Sequence, residues 1–518
     1  MGGLNHALIS VSDKTGVVEI AKGLADLGAS ILSTGGTAKA LREAGLEVTD
    51  VSSHTGSPEI LEGRVKTLHP KVHGGLLGRR GKPDHVKQME EQGIAPIDVV
   101  VVNLYPFESA IAKPDCTFEN AIENIDIGGP SMLRSAAKNH EDVVVVVDPG
   151  DYGRVLEALK SGAVPSSLRR ELAQKVFQHT SWYDCLIAKY LSQQNVGGTV
   201  EKFPVQLSLT YDRAEILRYG ENPHQEGAFY REIGATEPSI SGAKKLHGKA
   251  MSYNNYLDSN SALELAKEFD ETVVVILKHN NPCGVALGTT SVEAYVKARE
   301  TDPISAFGGV VACNRPVDFA MAKEVTSTFV EVLIAPEFSD DALAELKRKK
   351  DLRLLEVGSL QSQVRDGYDL KKLVGGLILQ DRDLGTLPDL KTLKVPTKRT
   401  PSDAEYTACA FAWKVCKHVK SNAIVFANAT QTVGIGAGQM SRVDSVKLAE
   451  MKANLPIKGC VMASDAFFPF RDGLDAAVQA GITAVIQPGG SIRDEEVVKA
   501  ADENNLAMIM TGMRHFRH

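Results

Sequence analysis

Short apolar runs alternate with amphipathic stretches through the first 150 residues, and that rhythm admits few folds. Ala7 to Val11, Ser30 to Leu32, Val48 to Val51, Val99 to Leu104 and Val143 to Val147 read as strands, with helices near Val17 to Leu27 and from Ala38. Apolar strands separated by helices are the pattern of a parallel sheet, because parallel neighbours need a crossover of helix length. A helical stretch, Ser167 to Leu191, then leads into Ser192-Gln-Gln-Asn-Val-Gly-Gly-Thr-Val, which is polar and has no apolar period. A boundary is expected near 193–204, dividing the chain into 1–198 and 199–518. At 518 residues the chain exceeds what one core sustains.

Composition narrows the function. Hydrophobic residues make up 43% and charged ones 24%, and no apolar stretch nears the roughly 18 residues that a membrane helix needs. The start, Met-Gly-Gly-Leu-Asn-His-Ala-Leu-Ile, lacks the basic and long apolar regions of a secretory signal. A cytoplasmic protein with no membrane partner is expected. A net charge of −7 argues against nucleic acid as a partner and leaves small anionic ligands as the better expectation. The seven cysteines, at 116, 185, 283, 313, 409, 416 and 460, contain no Cys-x-x-Cys pair, so neither a disulfide framework nor a zinc knuckle is indicated.

Residues 272–286 carry the most chemistry. A β-branched run delivers Lys278 and His279 into Asn-Asn-Pro-Cys-Gly, and Pro282 and Gly284 are expected to end the strand there. An ammonium beside an imidazole disfavours imidazolium, leaving His279 able to accept a proton. A merely solvated Lys-His pair is the plain alternative.

In the first region, Ser33-Thr34-Gly35-Gly36-Thr37 follows a strand and opens a helix expected from Ala38. There, free backbone amides suit a phosphate as well as they suit a tight turn. Asp126-Ile127-Gly128-Gly129-Pro130-Ser131 is a second such turn, before a helix running to Lys138 with Pro130 at its first position. Between them, Arg64, Lys66 and Lys71 offer cations for a phosphate or a carbonyl oxygen, or form a basic surface loop. His69 and His73, split by Pro70, are not expected to hold a metal.

Asn103-Leu104-Tyr105-Pro106-Phe107 puts polar groups at a strand end. In the second region, Arg218 and Tyr219 can grip a phosphate and stack on a heterocycle. Gly434-Ile435-Gly436-Ala437-Gly438 lacks the register of a nicotinamide site. Phe467-Phe468-Pro469-Phe470 suits a flat pocket or ordinary packing. Lys278-His279-Asn280 and Lys420-Ser421-Asn422 are faintly alike, as are Ser305-Ala306-Phe307-Gly308 and Asp465-Ala466-Phe467-Phe468, which leaves duplication and coincidence both open.

Six motifs together resemble the bifunctional purine-synthesis family in which AICAR transformylase is joined to IMP cyclohydrolase. They are Ser-Asp-Lys-Thr-Gly at 12–16, Arg-Val-Lys-Thr-Leu-His-Pro at 64–70, Asp-Ile-Gly-Gly at 126–129, Ala-Ala-Lys-Asn-His at 136–140, Arg-Tyr-Gly-Glu-Asn-Pro-His-Gln at 218–225 and Lys-His-Asn-Asn-Pro-Cys-Gly at 278–284. The resemblance spans nearly the whole chain. It implies an α/β protein with a methylglyoxal-synthase-like parallel-sheet domain, then a pair of cytidine-deaminase-like α/β units split near 370–400.

It also implies a homodimer whose transformylase sites form between subunits, and 10-formyltetrahydrofolate as co-substrate. AICAR and formyl-AICAR are the substrates it implies. No zinc is expected, and room is left for a monovalent cation.

By the same resemblance, Lys66, Tyr105, Asp126 and Lys138 act in ring closure. Ser12, Asp13, Lys14, Thr34, Gly35, Gly36, Thr37, Arg64, Val65, Thr67, Asn103 and Ile127 bind that substrate. Lys278 and His279 act in formyl transfer, where Arg218, Tyr219, Asn255, Phe307, Gly308, Glu331, Asn422, Arg442, Phe467, Asp472 and Arg514 bind. Glu331 stands where some relatives carry Asp. His279 is expected to take the proton of a weakly nucleophilic amine as it attacks the formyl carbon, with Lys278 at the oxyanion. Ring closure then needs mainly the folded substrate geometry, with Lys138 moving a proton.

Two other readings fit parts of the sequence. A zinc nucleobase deaminase fits Pro282-Cys283, but Ala286 replaces the second cysteine and no His-x-Glu partner exists. A purely regulatory nucleotide sensor fits the first domain, but not its set of Lys66, Tyr105, Asp126 and Lys138.

Overall fold

The computed structural model describes residues 4–194, 202–360 and 365–518. The chain divides into two compact units, Met1–Thr210 and Tyr211–His518, and the division expected between 198 and 199 lies outside the described residues.

The first unit is built on five strands, β1 (His6–Ser10), β2 (Ser30–Ser33), β3 (Val48–Asp50), β4 (Val99–Val102) and β5 (Val144–Val146). Their order is β3-β2-β1-β4-β5 and every pairing is parallel. Successive side chains feed opposite cores. Leu8, Val100, Val102 and Val145 belong to one cluster, and Ala7, Ile9, Val99, Val101 and Val144 to the other. Both faces are therefore covered, which is why the strands read as unbroken apolar runs. The strand order reverses between β1 and β4, and a doubly wound sheet opens its ligand crevice outside the carboxyl ends of such strands.

Helix starts differ from expectation. The helix after β2 spans Gly35–Glu43, so the glycines form its first turn. The later helix spans Gly128–Lys138, which puts Pro130 third. The first four N–H groups of a helix have no intrahelical acceptor, so a proline there loses nothing. His69, read as part of a loop, caps the helix Pro70–Leu77, its Nδ1 accepting from Lys71 N at 3.1 Å.

The second unit repeats one topology. Its first sheet contains β8 (Lys244–His247), β9 (Val273–Lys278), β10 (Asn281–Leu287), β11 (Gly309–Cys313), β12 (Val330–Ala335) and β13 (Arg353–Glu356), in the order β10-β9-β11-β12-β13-β8. Its second contains β16 (Ile424–Ala427), β17 (Thr432–Gly436), β18 (Val461–Ser464), β19 (Ala484–Gln487) and β20 (Ala507–Met510), in the order β17-β16-β18-β19-β20. In each, a hairpin pairs antiparallel with a third strand, and two parallel strands follow.

The two hairpin edges meet at the Ala286–Gln431 bridge, with Leu287 N donating to Thr430 O at 2.7 Å. One hydrophobic cluster runs across both sheets, filled by the helices Tyr253–Ala266 and Asp403–Cys416. Two two-stranded ribbons complete the unit: β6 (Tyr211–Leu217) with β7 (Gly227–Glu232), and β14 (Tyr368–Leu373) with β15 (Gly376–Asp381).

The glycines of the rejected nicotinamide motif have a packing role. A β-carbon on Gly436 would stand 1.9 Å from Ser445 O, and one on Gly284 1.9 Å from Ala298 O. In both repeats a helix lies directly on the hairpin backbone.

The sequence likenesses do not mark the repeat. Lys278 ends β9, whereas Lys420 to Asn422 precede β16, the topological counterpart of β9. Similarly, Phe307 precedes β11, while Phe467 follows β18. The topology is duplicated and the matching tripeptides are coincidental.

Candidate active sites

A cavity of about 670 Å³ opens at the carboxyl ends of β1, β2 and β4. Ser12, Lys14, Thr34, Gly35, Gly36, Thr37, Arg64, Lys66, Thr67, Asn103, Tyr105, Asp126 and Ile127 line it, so most of the residues expected for ring closure share one space. Asn103 ties its strand end to the loop after β1. Its Oδ1 accepts from Ser12 N (2.6 Å) and Asp13 N (3.0 Å), and its Nδ2 donates to Asp13 O (2.9 Å). Asp13 turns into its own loop, accepting from Thr15 N and Oγ1, and these bonds hold its carboxyl below the ordinary value.

The helix Gly35–Glu43 begins at Thr34 without a side-chain cap. Its first amides and positive end therefore meet the cavity as an anion site. The Lys14 ammonium stands 3.9 Å from where a Gly36 β-carbon would be.

Asp126 enters the cavity at the start of the helix Gly128–Lys138. Burial pushes its carboxyl up, while N–H groups of Gly129, Tyr105 and Gly128 pull it back. Its backbone N donates to Tyr183 Oη at 2.8 Å, and that hydroxyl lies 3.3 Å from Asn124 O. Tyr183 belongs to the long helix Ser166–Ser192, and burial pushes its phenol up to about 12. Sequence reading missed it, because a tyrosine in mid-helix carries no motif. Two carboxylates it also missed engage the basic loop: Glu59 pairs with Lys66 at 2.6 Å, and Glu123 pairs with Arg64.

Three expected residues, Asp13, Val65 and Lys138, do not line the cavity. The Asp13 carboxylate is spent on Thr15, and the Val65 backbone pairs with Ile60. Lys138 is exposed at the far end of its helix, about 15 Å along the axis from Gly128. There it lines a shallow surface hollow with Arg134, His140 and Phe177. A helix that offers its first residue to one space cannot bring its eleventh to the same one.

In the second unit, the turn after β9 is not Asn-Pro-Cys-Gly. Lys278 pairs with Asn281, so His279 and Asn280 alone make the turn, with φ of 51° and 59°. Pro282, Cys283 and Gly284 lie within β10, where a register shift between Pro282 and Gly284 accommodates the proline. This two-residue link has the form that takes positive φ at both positions, and histidine and asparagine tolerate it better than most residues.

His279 is exposed, and its ring makes no hydrogen bond with other described residues. Lys278 Nζ donates to Phe307 O at 2.7 Å, and Gly308 N donates to Phe329 O at 2.8 Å. Lys278 and His279 border a cavity of about 250 Å³ shared with Asp302, Gly434 and Lys452.

The other expected transformylase residues do not line that cavity. Arg442 is buried, donating to Asp465 (2.5 Å), Ser464 (2.8 Å) and Asn422 (2.6 Å). Asn422 spends its amide on Gln439 O and Met440 O. Asn255 completes a capping box with Ser252, and Glu331 pairs with Arg353 at 2.7 Å.

Arg218 lies over the Tyr219 ring at 4.8 Å, in the link between β6 and β7. Phe467 is partly exposed, Asp472 begins the helix Asp472–Ala480, and the Arg514 guanidinium lies over Phe516. Among the described residues no group of three His, Cys, Asp or Glu side chains is placed to hold a metal ion. No helix there is long and apolar enough to cross a membrane.

A doubly wound domain with a cavity at its strand ends, followed by a duplicated mixed-sheet domain that presents a Lys-His turn, is the architecture of an α/β enzyme. A family model described as "AICARFT/IMPCHase bienzyme" matches residues 136–452, and one described as "MGS-like domain" matches 16–131. A "Bifunctional purine biosynthesis protein PurH" from Magnetococcus marinus is 56% identical over 533 aligned residues, covering 100% of both chains. A solved structure described as "Crystal structure of ForH" is 38% identical, covers 37% of this chain and 100% of its own, and has a TM-score of 0.33. The chain belongs to the AICARFT/IMPCHase bienzyme family. It is a bifunctional enzyme of purine biosynthesis, an AICAR formyltransferase and an IMP cyclohydrolase, with the methylglyoxal-synthase-like first domain and paired α/β units that its motifs implied.

Proposed function

We propose that the two activities divide between the two units, with formyl transfer at the His279 turn and ring closure in the cavity over β1, β2 and β4. The observation that carries this is the β9–β10 turn. It stands an imidazole clear of the sheet and anchors the neighbouring ammonium to the Phe307 carbonyl.

The amine of AICAR is conjugated with its ring and carboxamide, so it attacks a formyl carbon only as its proton leaves. His279 takes that proton, and Lys278 faces the oxygen on which negative charge develops. The co-substrate is 10-formyltetrahydrofolate. Arg218 and Tyr219 hold the nucleotide's phosphate and ring, while Arg442 and Asn422 support the wall through their buried bonds. A bound monovalent cation would take a supporting place there and enters no step.

In the first unit, the amides at Gly35–Thr37 and Lys14 hold the phosphate. Lys66, Tyr105 and Asp126 orient the carboxamide nitrogen against the new formyl group, after which water leaves. Lys138 reaches such a cavity only from a second copy. A homodimer also accounts for the scattering of the transformylase residues outside the 250 Å³ cavity. Cytoplasmic residence fits substrates of this kind.

The test uses the full chain. His279→Ala is expected to lower formyl transfer by at least about a hundredfold, as for loss of a general base. Its conversion of supplied formyl-AICAR to IMP should match the parent. Equal loss of both activities would refute separate sites.

A further inference from the structure

The turn that presents His279 is held from outside by one carboxylate. Asp258 Oδ2 accepts from His279 N at 3.3 Å and Oδ1 from Asn280 N at 2.8 Å. Two adjacent left-handed residues other than glycine persist only where the surroundings determine them. Here neither the first nor the second turn position is glycine, although the second normally is.

A further contact comes from the same helix. Ser261 Oγ donates to Asn280 Oδ1 at 2.9 Å and itself accepts from Arg517 Nη2 at 2.8 Å. Asp258 and Ser261 are three residues apart on the helix Tyr253–Ala266, hence on one face, and the Ser252–Asn255 capping box fixes where that helix begins. Asp258 makes no ion pair with a described lysine or arginine. Its half-buried carboxylate is spent on the two turn amides, and burial pushes its carboxyl up while those amides pull it back.

Resting on the assignment of His279 as the base, we propose that Asp258 is a positioning residue for formyl transfer, keeping the His279 backbone left-handed so that the imidazole stands beside Lys278. It touches neither substrate nor the reacting atoms and acts through the turn.

In the full-length enzyme, Asp258→Ala is expected to lower kcat for formyl transfer about 30- to 100-fold, because a displacement of the order of 1 Å costs about that much. The KM for the nucleotide should change less than about threefold, since binding groups elsewhere are untouched. Adding Asn280→Gly supplies the residue that the turn prefers, and should recover about a tenth or more of the parent rate. A single variant within twofold of the parent would overturn the proposal, as would a double variant with no recovery.

Should Asp258→Ala fail to fold, Asp258→Asn, which keeps one acceptor oxygen, decides in its place. A loss of about tenfold restored by Asn280→Gly supports the proposal, and parental activity overturns it. His279→Ala is assayed alongside. If it still transfers formyl, the base assignment fails and takes this proposal with it; if it does not while Asp258→Ala is normal, this proposal alone fails.

Discussion

Tyr183 shows how a residue with no motif comes to hold a loop that lines the cavity of the first unit. Its buried hydroxyl accepts from Asp126 N and donates to Asn124 O, so it fixes the chain where that carboxylate enters the cavity. Tyr183→Phe keeps the ring against Phe107 and removes only the oxygen. An amide left without a partner costs about 1–3 kcal/mol. The loop is expected to relieve this by shifting, and ring closure should fall about tenfold or more, as 1.4 kcal/mol is a factor of ten. Formyl transfer should be unchanged. Parallel assays of the two half-reactions check it, and parental ring closure would show that the hydroxyl is dispensable.

Residues at strand ends were legible because strand, glycine turn and helix start are local patterns. Tyr105 follows β4 in this way, whereas Lys66 and Asp126 lie before helices, and the grouping of all three in one cavity came with the family motifs. Tyr183 lies 57 residues from Asp126, and nothing local signals that distance. The His279 turn was misplaced for a related reason. Pro282 and Gly284 are the usual breakers, but an edge strand with a register shift holds both.

Among the elements, the helix Tyr253–Ala266 carries a charge cluster that joins distant segments. Glu264 pairs with Lys267 (2.7 Å), Arg365 (3.0 Å) and Arg382 (2.6 Å), while Glu237 takes Lys267 (2.7 Å) and Arg382 (2.6 Å). Beside it, Glu268 meets Arg365, Lys417 and His418. Burial alone would push Glu264 up, but Lys267, Arg382 and Arg365 outweigh it and bring its carboxyl from 4.5 to about 2.

A folded value below the unfolded one adds stability above pH 4.5, which is lost as the pH falls towards 2. For this group the amount is of the order of 3 kcal/mol. The urea midpoint of the second unit should therefore fall between pH 5 and pH 3. Glu264→Gln, though less stable at pH 7, should show a visibly flatter fall. Fluorescence of the buried Trp413 in a Trp182→Phe background reads that unit, and equal slopes would remove Glu264 from the acid response.

Apart from Glu264 and Lys267, which are three residues apart, these pairs could not be read from the sequence, because their partners are distant along the chain, 149 residues for Glu268 and Lys417. The strands and the long helix Ser166–Ser192 could, since their apolar periods are local.

For the whole molecule, the duplicated topology was hidden because sheet order is a property of pairing, and the tripeptides that looked alike occupy different places in it. The same scale governs Lys138. Its assignment to ring closure came with the family motif, yet within one chain it faces a surface hollow remote from Lys66.

A two-fold dimer resolves the conflict if each cavity draws Lys138 from the partner, and that arrangement has a consequence no single-chain site shares. Lys66→Ala and Lys138→Ala homodimers should each lack ring closure. Chains mixed, dissociated and reassociated form mixed dimers in which one cavity has its own Lys66 and the other chain's Lys138. That cavity is whole. With half the dimers mixed and one working cavity in each, the mixture should regain about a quarter of the parental rate. If both lysines act within one chain, every cavity in the mixture lacks one of them and no activity returns. A Lys138→Ala homodimer with full ring closure would remove the lysine from the reaction altogether, leaving Lys66, Tyr105 and Asp126 to close the ring.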